Sequence, residues 1–256
     1  MPYNIFMIHG MWGGPWYWEN YRNFLEAKGY RCTATTLRHH KMDPKDSPDP
    51  ALGRTSLLDY AADLEAEIRK LGEPPIIMGH SMGGLLAQML GSRGLAKALV
   101  LLTPASPKGI VALTPSVIKS FWSVLTKWGF WKKPHRQSFE EARYSMLNVL
   151  TEDQARAAYD RFVYESGRAA FEIGFWLLDS TNACAVDAAM VTCPVYIAAG
   201  GQDRITPASV VQKVHQKYES VSTFKVYPNN GHWAMSEPGW EQIVQDIVSW
   251  LGQKVK

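Results

Sequence analysis

One serine lies among three glycines at the point where a strand pattern gives way to a helix pattern. The stretch PPIIMGHSMGGLLAQML covers residues 74–90 and contains Gly79-x-Ser81-x-Gly83. A serine hydroxyl becomes a good nucleophile only when a base removes its proton. A sharp strand-to-helix turn exposes such a serine on a rigid backbone, and the flanking glycines leave room for its strained conformation. The pattern therefore predicts that Ser81 is a nucleophile, the alternative being a glycine-rich turn that packs a helix closely on a sheet.

Two further residues complete a set suited to acyl transfer. Asp203 lies in AAGGQDRITP after a predicted strand at 194–199, and His232 lies in YPNNGHWAMSEP after another at 221–227. Both should lie at the carboxyl edge of a sheet, where open α/β proteins hold their sites. The chain order Ser81, Asp203, His232 is the one expected for this kind of turn. We expect His232 to act as the base and Asp203 to orient its imidazole. The alternatives are a helix cap for Asp203 and a packed turn histidine for His232.

Acyl transfer also needs hydrogen-bond donors for the oxyanion that forms on the carbonyl. Met82 follows the serine at a helix N-terminus, where free N–H groups and the helix dipole favour negative charge. Met11 lies in the glycine-rich loop HGMWGG after the first predicted strand, and Gly10 lets the backbone turn in close. We expect the amides of Met11 and Met82 to form the oxyanion hole. For the glycine-rich loop the alternative is a tight turn without a chemical role.

Strand-like and helix-like segments alternate along most of the chain. Predicted strands cover residues 3–8, 30–37, 75–78, 97–103, 194–199 and 221–227, and predicted helices cover 16–28, 56–71, 81–92, 207–218 and 239–253. This alternation predicts an α/β fold with a mostly parallel sheet of about six strands flanked by helices. The apolar runs at 76–78 and 99–102 show no polar alternation, which is typical of strands covered on both faces.

The alternation stops between residues 105 and 189, where the sequence pattern predicts several helices. We expect an all-helical cap there, over an α/β core formed by residues 1–104 and 190–256. An apolar, aromatic pocket is predicted between cap and core, lined by Trp12, Phe121, Trp122, Phe175, Trp176 and Trp233. The alternative for each of these aromatic residues is a place in the hydrophobic core.

The composition restricts the class of protein. The chain has 256 residues, 46% hydrophobic and 20% charged, with a net charge of +3, which is typical of a soluble globular protein without nucleic-acid or membrane partners. The basic cluster KWGFWKKPHR at 127–136 is interpreted as a solvated face, the alternative being a membrane-surface patch. Three cysteines without metal or redox spacing are expected to be free thiols. With no signal-peptide pattern and no long apolar run, we expect a cytoplasmic protein without a bound metal.

Four motifs in this order resemble the α/β-hydrolase superfamily over nearly the whole chain: HGMWGGPWYW, GHSMGG, GGQDRITP and NNGHW. The opening HGxWxGxWxW is most similar to the branch that contains small carboxylesterases, plant methyl-ester esterases and hydroxynitrile lyases. The resemblance implies that the inserted helices form a lid and that no metal or organic cofactor is needed. The chain departs from the family pattern in two places. The usual pair of antiparallel strands before the first glycine-rich turn is missing, which leaves a six-stranded core. Residues 38–41 are RHHK where many relatives have Gly-His-Gly, which leaves one pocket wall undefined.

Ester hydrolysis is the function favoured by these residues. By resemblance, Ser81 argues against dehalogenases and epoxide hydrolases, which use an aspartate there. Trp233 follows the histidine where the lyases have a lysine, and His80 precedes the serine where carbon–carbon hydrolases often have Asn. The prediction is a serine carboxylesterase for short-to-medium acyl or aryl esters. The alternatives are lactone, thioester, amide or carbon–carbon hydrolysis, a hydroxynitrile lyase, or a non-catalytic receptor for a small ligand. The oligomeric state stays open.

Overall fold

A six-stranded parallel sheet lies at the centre of the computed structural model, which describes residues 3–255. The strands of the chain are β1 (Asn4–Ile8), β2 (Arg31–Ala34), β3 (Ile76–His80), β4 (Ala98–Leu102), β5 (Pro134–His135), β6 (Glu165–Ser166), β7 (Val195–Gly200) and β8 (Ser222–Tyr227). The strands of the main sheet are adjacent in the order β2-β1-β3-β4-β7-β8. The predicted α/β architecture with six main strands is confirmed.

Five longer helices flank this sheet: α1 (Glu19–Ala27), α2 (Leu57–Arg69), α3 (Met82–Gly91), α9 (Ala208–Lys217) and α10 (Trp240–Lys254). Short 3₁₀ turns cover Pro15–Trp18, Pro50–Arg54 and Ala188–Met190. Helix α2 begins at a capping box, in which the Ser56 hydroxyl accepts a backbone N–H and the Asp59 carboxylate accepts the Ser56 N–H. Two free donors are satisfied in this way. Gly29, in the left-handed region at φ +88°, turns the chain out of α1 into β2.

The middle of the sheet is the hydrophobic centre of the molecule. Every residue of β3 and β4 is buried, because helices cover both faces of these two strands. The strands run in parallel register, with Gly79 opposite Leu101 and His80 opposite Leu102. Their carboxyl ends therefore reach the same edge of the sheet, where residue 81 follows β3.

The chain between β4 and β7 contributes no strand to the main sheet. It forms α4 (Pro115–Ser120), α5 (Trp122–Leu125), α6 (Phe139–Ser145), α7 (Glu152–Tyr159) and α8 (Gly167–Gly174), with a 3₁₀ turn at Phe130–Lys132. This insertion (residues 105–189) differs from the all-helical expectation at β5 and β6, which form a two-residue antiparallel pair. Pro134 favours an extended residue before it, and Ser166 is extended because it is the N-cap of α8.

Within residues 3–255, no helix is long and apolar enough to cross a membrane. The three cysteines are free, as expected: Cys184 is buried, and Cys32 and Cys193 are partly buried. Burial raises the pKa of each thiol, to about 12 for Cys32 and to about 11 for the other two. Their thiolates are therefore scarce near neutral pH, and the cysteines are packing residues rather than nucleophiles.

Candidate active site

Ser81 lies in a strained turn between β3 and α3. Its backbone angles are φ 54° and ψ −119°, a region that non-glycine residues adopt only where the surroundings impose it. A Cβ on Gly79 would lie 2.2 Å from the Gly83 carbonyl oxygen, and a Cβ on Gly83 would lie 2.2 Å from the Ile8 carbonyl oxygen. The turn therefore requires glycine on both sides of the serine. The Ser81 N–H donates to the Leu102 carbonyl at 3.0 Å, which fixes the serine to the end of β4.

His232 and Asp203 form a buried hydrogen-bonded pair on the loops after β8 and β7. The His232 Nδ1 donates to Asp203 Oδ2 at 2.8 Å. Asp203 Oδ1 accepts the backbone N–H groups of Ile205 and Thr206, each at 2.8 Å. The Thr206 hydroxyl donates to Oδ2, also at 2.8 Å. The carboxylate is thus held in place by three donors besides the imidazole, and the pair sets the tautomer that leaves Nε2 free to take a proton.

The strand ends of β3 and β4 hold the backbone of His232 beside the serine turn. His80 Nε2 donates to the His232 carbonyl at 2.9 Å, and the Thr103 hydroxyl donates to the same oxygen at 3.3 Å. Burial, reinforced by the neighbouring His232, keeps the pKa of His80 well below its ordinary value, so His80 is a neutral donor. His80 directly precedes Ser81, and the His232 Nε2 is buried without a hydrogen-bond partner among residues 3–255. The structure thus brings Ser81, Asp203 and His232 to one edge of the sheet.

A fourth polar residue, Glu237, was missed by the sequence reasoning. Its fully buried carboxylate accepts the Gly231 N–H at 2.6 Å and the Trp233 N–H at 3.0 Å. These two hydrogen bonds hold the backbone in place on both sides of His232. Burial raises the pKa of Glu237 to about 7, although the two amide hydrogen bonds act to lower it. An acidic residue five positions after the histidine, in the same loop, was the available signal.

The two predicted oxyanion donors lie beside Ser81. Met11 and Met82 both line the cavity onto which the serine opens. Met82 is the first residue of α3, so its N–H has no partner within the helix. A Cβ on Gly10 would lie 3.0 Å from the Ser81 Cβ and 2.7 Å from His80 Nδ1, so only glycine allows the loop before Met11 to approach this closely.

The loop that carries Met11 is fastened to the insertion through Trp12. Trp12 adopts φ 61°, and its carbonyl accepts the Val163 N–H at 2.9 Å. Its indole N–H donates to His135 Nδ1 at 3.3 Å. Burial lowers the pKa of His135 to about 4, so the imidazole is neutral and can accept this bond. The position of the Met11 amide therefore depends on the insertion as well as on the sheet.

A cavity of about 390 Å³ lies between Ser81 and the insertion. Three of the six residues predicted to line it do so: Phe121, Phe175 and Trp176. The rest of its wall is mostly aliphatic and comes largely from the insertion, including Ile110, Val117, Val124, Phe130, Ala170 and Ile173. Such a wall suits an apolar group of modest size.

The other three predicted pocket residues, Trp12, Trp122 and Trp233, do not line the cavity. The Trp12 side chain is buried against His135, as described above. Trp233 packs in the core against Tyr17, with ring centroids 4.4 Å apart. Trp122 is 59% exposed, because neighbouring residues on a helical turn do not face the same side and Phe121 takes the inward position.

A second buried polar cluster joins the insertion to the core. His40 Nε2 and Glu165 Oε2 are 3.0 Å apart, and the Tyr60 hydroxyl donates to the other carboxylate oxygen at 2.9 Å. Burial acts to lower the pKa of His40, but the Glu165 charge and hydrogen bond outweigh it and raise the pKa. Burial likewise acts to raise the pKa of Glu165, and His40 outweighs it and lowers the pKa. The loop RHHK thus turns His40 inward to an ion pair and contributes no residue to the cavity wall.

No group of three or more His, Cys, Asp or Glu side chains in residues 3–255 is arranged to hold a metal ion. Near Ser81, the His232 imidazole is instead paired with the Asp203 carboxylate through Nδ1, and its Nε2 is left without a partner among these residues. The arrangement is able to deprotonate a serine and to stabilise an anion beside it.

Comparison with known proteins places the chain in one family. Residues 5–245 match the model of the alpha/beta hydrolase family. A monoacylglycerol lipase from Mycolicibacterium smegmatis is 27% identical over 185 residues, which are 70% of this chain. The matched residues span 62% of that lipase, less than two thirds of its length.

Solved structures share the fold. A methylesterase from Arabidopsis, 12% identical, superposes with a TM-score of 0.71 and covers 98% of this chain and 99% of its own. A monoacylglycerol lipase from Paleococcus ferrophilus, 20% identical, also has a TM-score of 0.71 and covers 98% of this chain and 95% of its own. The resemblance inferred from the four sequence motifs is confirmed at the level of family and fold.

Proposed function

The chain belongs to the alpha/beta hydrolase family, and from this premise we propose that it is a serine carboxylesterase acting on short-to-medium acyl or aryl esters. The observation that carries the proposal is the buried hydrogen bond from His232 Nδ1 to Asp203 Oδ2, next to a serine in a strained turn. This combination supplies a nucleophile, a base and a group that orients the base.

In the proposed reaction Ser81 Oγ attacks the ester carbonyl while His232 Nε2 takes the hydroxyl proton. The amides of Met11 and Met82 stabilise the oxyanion, and His232 then gives the proton to the departing alkoxide, which leaves as the alcohol. Water attacks the acyl-enzyme by the same route and releases the carboxylic acid and free Ser81. Asp203 stabilises the imidazolium in both halves. Its three other hydrogen bonds hold it in position, so little reorganisation is needed as charge develops.

The cavity supports an apolar acyl or aryl group as the part of the substrate nearest Ser81. Its volume of about 390 Å³ and its aliphatic and aromatic wall favour burial of such a group, at about 25 cal/mol per Å² of apolar surface. Relatives named as a methylesterase and as monoacylglycerol lipases support an ester as the bond that is cleaved.

In this proposal residues 1–104 and 190–256 form the catalytic core, and residues 105–189 form the cap that shapes the pocket. The division is supported by the chemistry of each part. Ser81, Asp203 and His232 all come from the core, whereas most of the cavity wall comes from the insertion.

The test is hydrolysis of p-nitrophenyl esters from acetate to palmitate by the wild type and by Ser81→Ala. We expect turnover of short and medium chains, and a loss in kcat of at least about 10⁴-fold in the variant. Ser106→Ala is the matched control, because Ser106 lines the same cavity and has no role in the reaction. Equal losses in both variants, activity that survives in Ser81→Ala, or a preference for the longest chains would overturn the proposal.

A further inference from the structure

Exposed apolar side chains are concentrated around the mouth of the cavity. Ten large hydrophobic residues are exposed within residues 3–255, and seven of them lie in the insertion. We call these seven the rim: Val111, Leu113, Ile118, Trp122, Trp128, Leu177 and Leu178. Five of them, all but the two tryptophans, also line the cavity. Large apolar side chains exposed beside an apolar cavity mark a surface that meets an apolar partner.

The most exposed rim residue is linked to the cavity wall by aromatic contacts. Trp128, which is 88% exposed, lies edge-on to Trp131 with centroids 5.3 Å apart. Trp131 contacts Phe171 at 6.1 Å, and Phe171 stacks on Phe175 at 5.6 Å. Phe175 lines the cavity. Trp128 is therefore joined to the inner wall of the cavity by a series of aromatic contacts.

Positive charge accompanies the rim. Residues 105–139 contain no Asp or Glu, and their six basic residues are Lys108, Lys119, Lys127, Lys132, Lys133 and Arg136. The rest of the insertion, residues 140–189, has nine acidic residues and four arginines. Lys119, Lys127, Lys132 and Lys133 are exposed. The net charge of +3 for the whole chain conceals this separation.

The combination selects one partner. Exposed tryptophan and leucine side chains enter the headgroup region of a bilayer, while lysines beside them bind anionic headgroups. A second copy of this chain, docked about a two-fold axis, would bring the same cations face to face, which is unfavourable. We propose that the rim docks on an anionic phospholipid bilayer, with the mouth of the cavity facing the lipid. Contact of this kind lies on the membrane surface and requires no spanning helix.

The test is sedimentation of Ser81→Ala protein with vesicles of phosphatidylcholine alone and of equal parts phosphatidylcholine and phosphatidylglycerol. Because Ser81→Ala is used, the outcome is independent of whether the proposed ester hydrolysis is correct. We expect binding to the mixed vesicles, weak binding to pure phosphatidylcholine, and release by salt. Lys127→Gln, Lys132→Gln and Lys133→Gln should each weaken binding about five-fold, and Trp128→Ser should weaken it further.

Matched controls lie outside the rim. Met190→Ser removes an apolar side chain that is 58% exposed, and Lys70→Gln removes an exposed lysine. Both variants should bind as the Ser81→Ala protein does. Equal losses in the rim and control variants would overturn the proposal, as would failure to bind the mixed vesicles. A dimer in analytical ultracentrifugation that Trp128→Ser converts to a monomer would identify a second copy as the partner and would also overturn it.

Discussion

The core side and the insertion side of the cavity differ in polarity. The core side is polar and closely paired: Asp203 receives four hydrogen bonds and Glu237 two, all from buried or nearly buried groups. The insertion side is apolar, and several of its residues are exposed. Proton transfer requires fixed distances, whereas recognition of an apolar group requires mainly shape and area. Substitutions on the core side should therefore change rates, and those on the insertion side should change substrate preference.

The sharpest test of the core side is Asp203→Asn. Without the carboxylate the imidazole loses its correct tautomer and the charge that stabilises its cation, so kcat should fall on the order of 10³- to 10⁴-fold. KM for p-nitrophenyl butyrate should change little, because Asp203 does not line the cavity. Steady-state kinetics beside Asp187→Asn, an exposed helix cap, provides the comparison. A kcat within ten-fold of wild type would remove Asp203 from the mechanism.

The insertion has a polar attachment of its own, and Glu165→Gln tests it. The substitution removes the charge that His40 faces, and breaking a buried pair costs about 3–5 kcal/mol. Because the pKa of His40 is raised, its contribution to stability is complete below pH 6.5. That contribution is lost as the pH rises through the raised pKa. Because the pKa of Glu165 is lowered, its contribution to stability is complete above pH 4.5. That contribution is lost as the pH falls through the lowered pKa.

The loss of stability in Glu165→Gln should consequently be largest between pH 4.5 and 6.5. Urea unfolding of wild type and variant at about pH 5.5 and about pH 9 measures this difference. A loss that is the same at both pH values would mean that packing, and not charge, joins the insertion to the core at this point.

Glu237→Gln tests whether the two hydrogen bonds that hold the His232 loop affect kcat. A glutamine has one acceptor oxygen for two backbone N–H groups, so the loop loosens, and kcat should fall roughly ten- to hundred-fold. Glu241→Gln, an exposed residue in the first turn of α10, is the matched control. If kcat and KM are unchanged in Glu237→Gln, the carboxylate has no positioning role.

The same variant predicts a pH dependence of stability. The pKa of Glu237 is raised from 4.5 to about 7 in the folded state. Between these pH values the carboxyl ionises in the unfolded chain but keeps its proton in the folded protein, so stability falls as the pH rises. That contribution amounts to about 3 kcal/mol. Glutamine cannot ionise, so the variant should be more destabilised relative to wild type at about pH 5 than at about pH 8, as measured by urea unfolding.

The smallest effect is expected on the insertion side. Phe175→Ala enlarges the cavity, and KM for p-nitrophenyl hexanoate should rise roughly ten-fold with little change in kcat. Trp122→Ala should leave KM for this soluble ester within about two-fold, because the Trp122 side chain lies outside the cavity. A larger effect at Trp122 than at Phe175 would reverse the assignment of the two aromatic residues.

The sequence was sufficient for the parts of the molecule that are governed by local rules. Gly79 and Gly83 mark the serine turn because no other residue fits it, and alternation of patterns predicts the strand ends on which Asp203 and His232 follow. The pocket was predicted only in part, because a helix of a single turn has too few residues for its sequence pattern to show which side is buried. At the start of α5, Phe121 points into the cavity and Trp122 points to solvent. The His40–Glu165 pair joins residues 125 positions apart, a contact that no local pattern reveals.

The bonds from Trp12 to Val163 and His135, together with the His40–Glu165 pair, have a consequence for motion. They fasten the β5–β6 part of the insertion to the sheet, so that part should exchange its amide hydrogens only when the whole molecule unfolds. The segments with exposed side chains, at 111–128 and 177–178, have a weaker attachment to the core, a hydrogen bond from the Ser120 hydroxyl to the Arg204 carbonyl at 3.4 Å. These segments should open more readily. Entry of substrate and departure of product would then depend on a local opening of these segments, and any rate limit set by opening would be independent of the stability of the core.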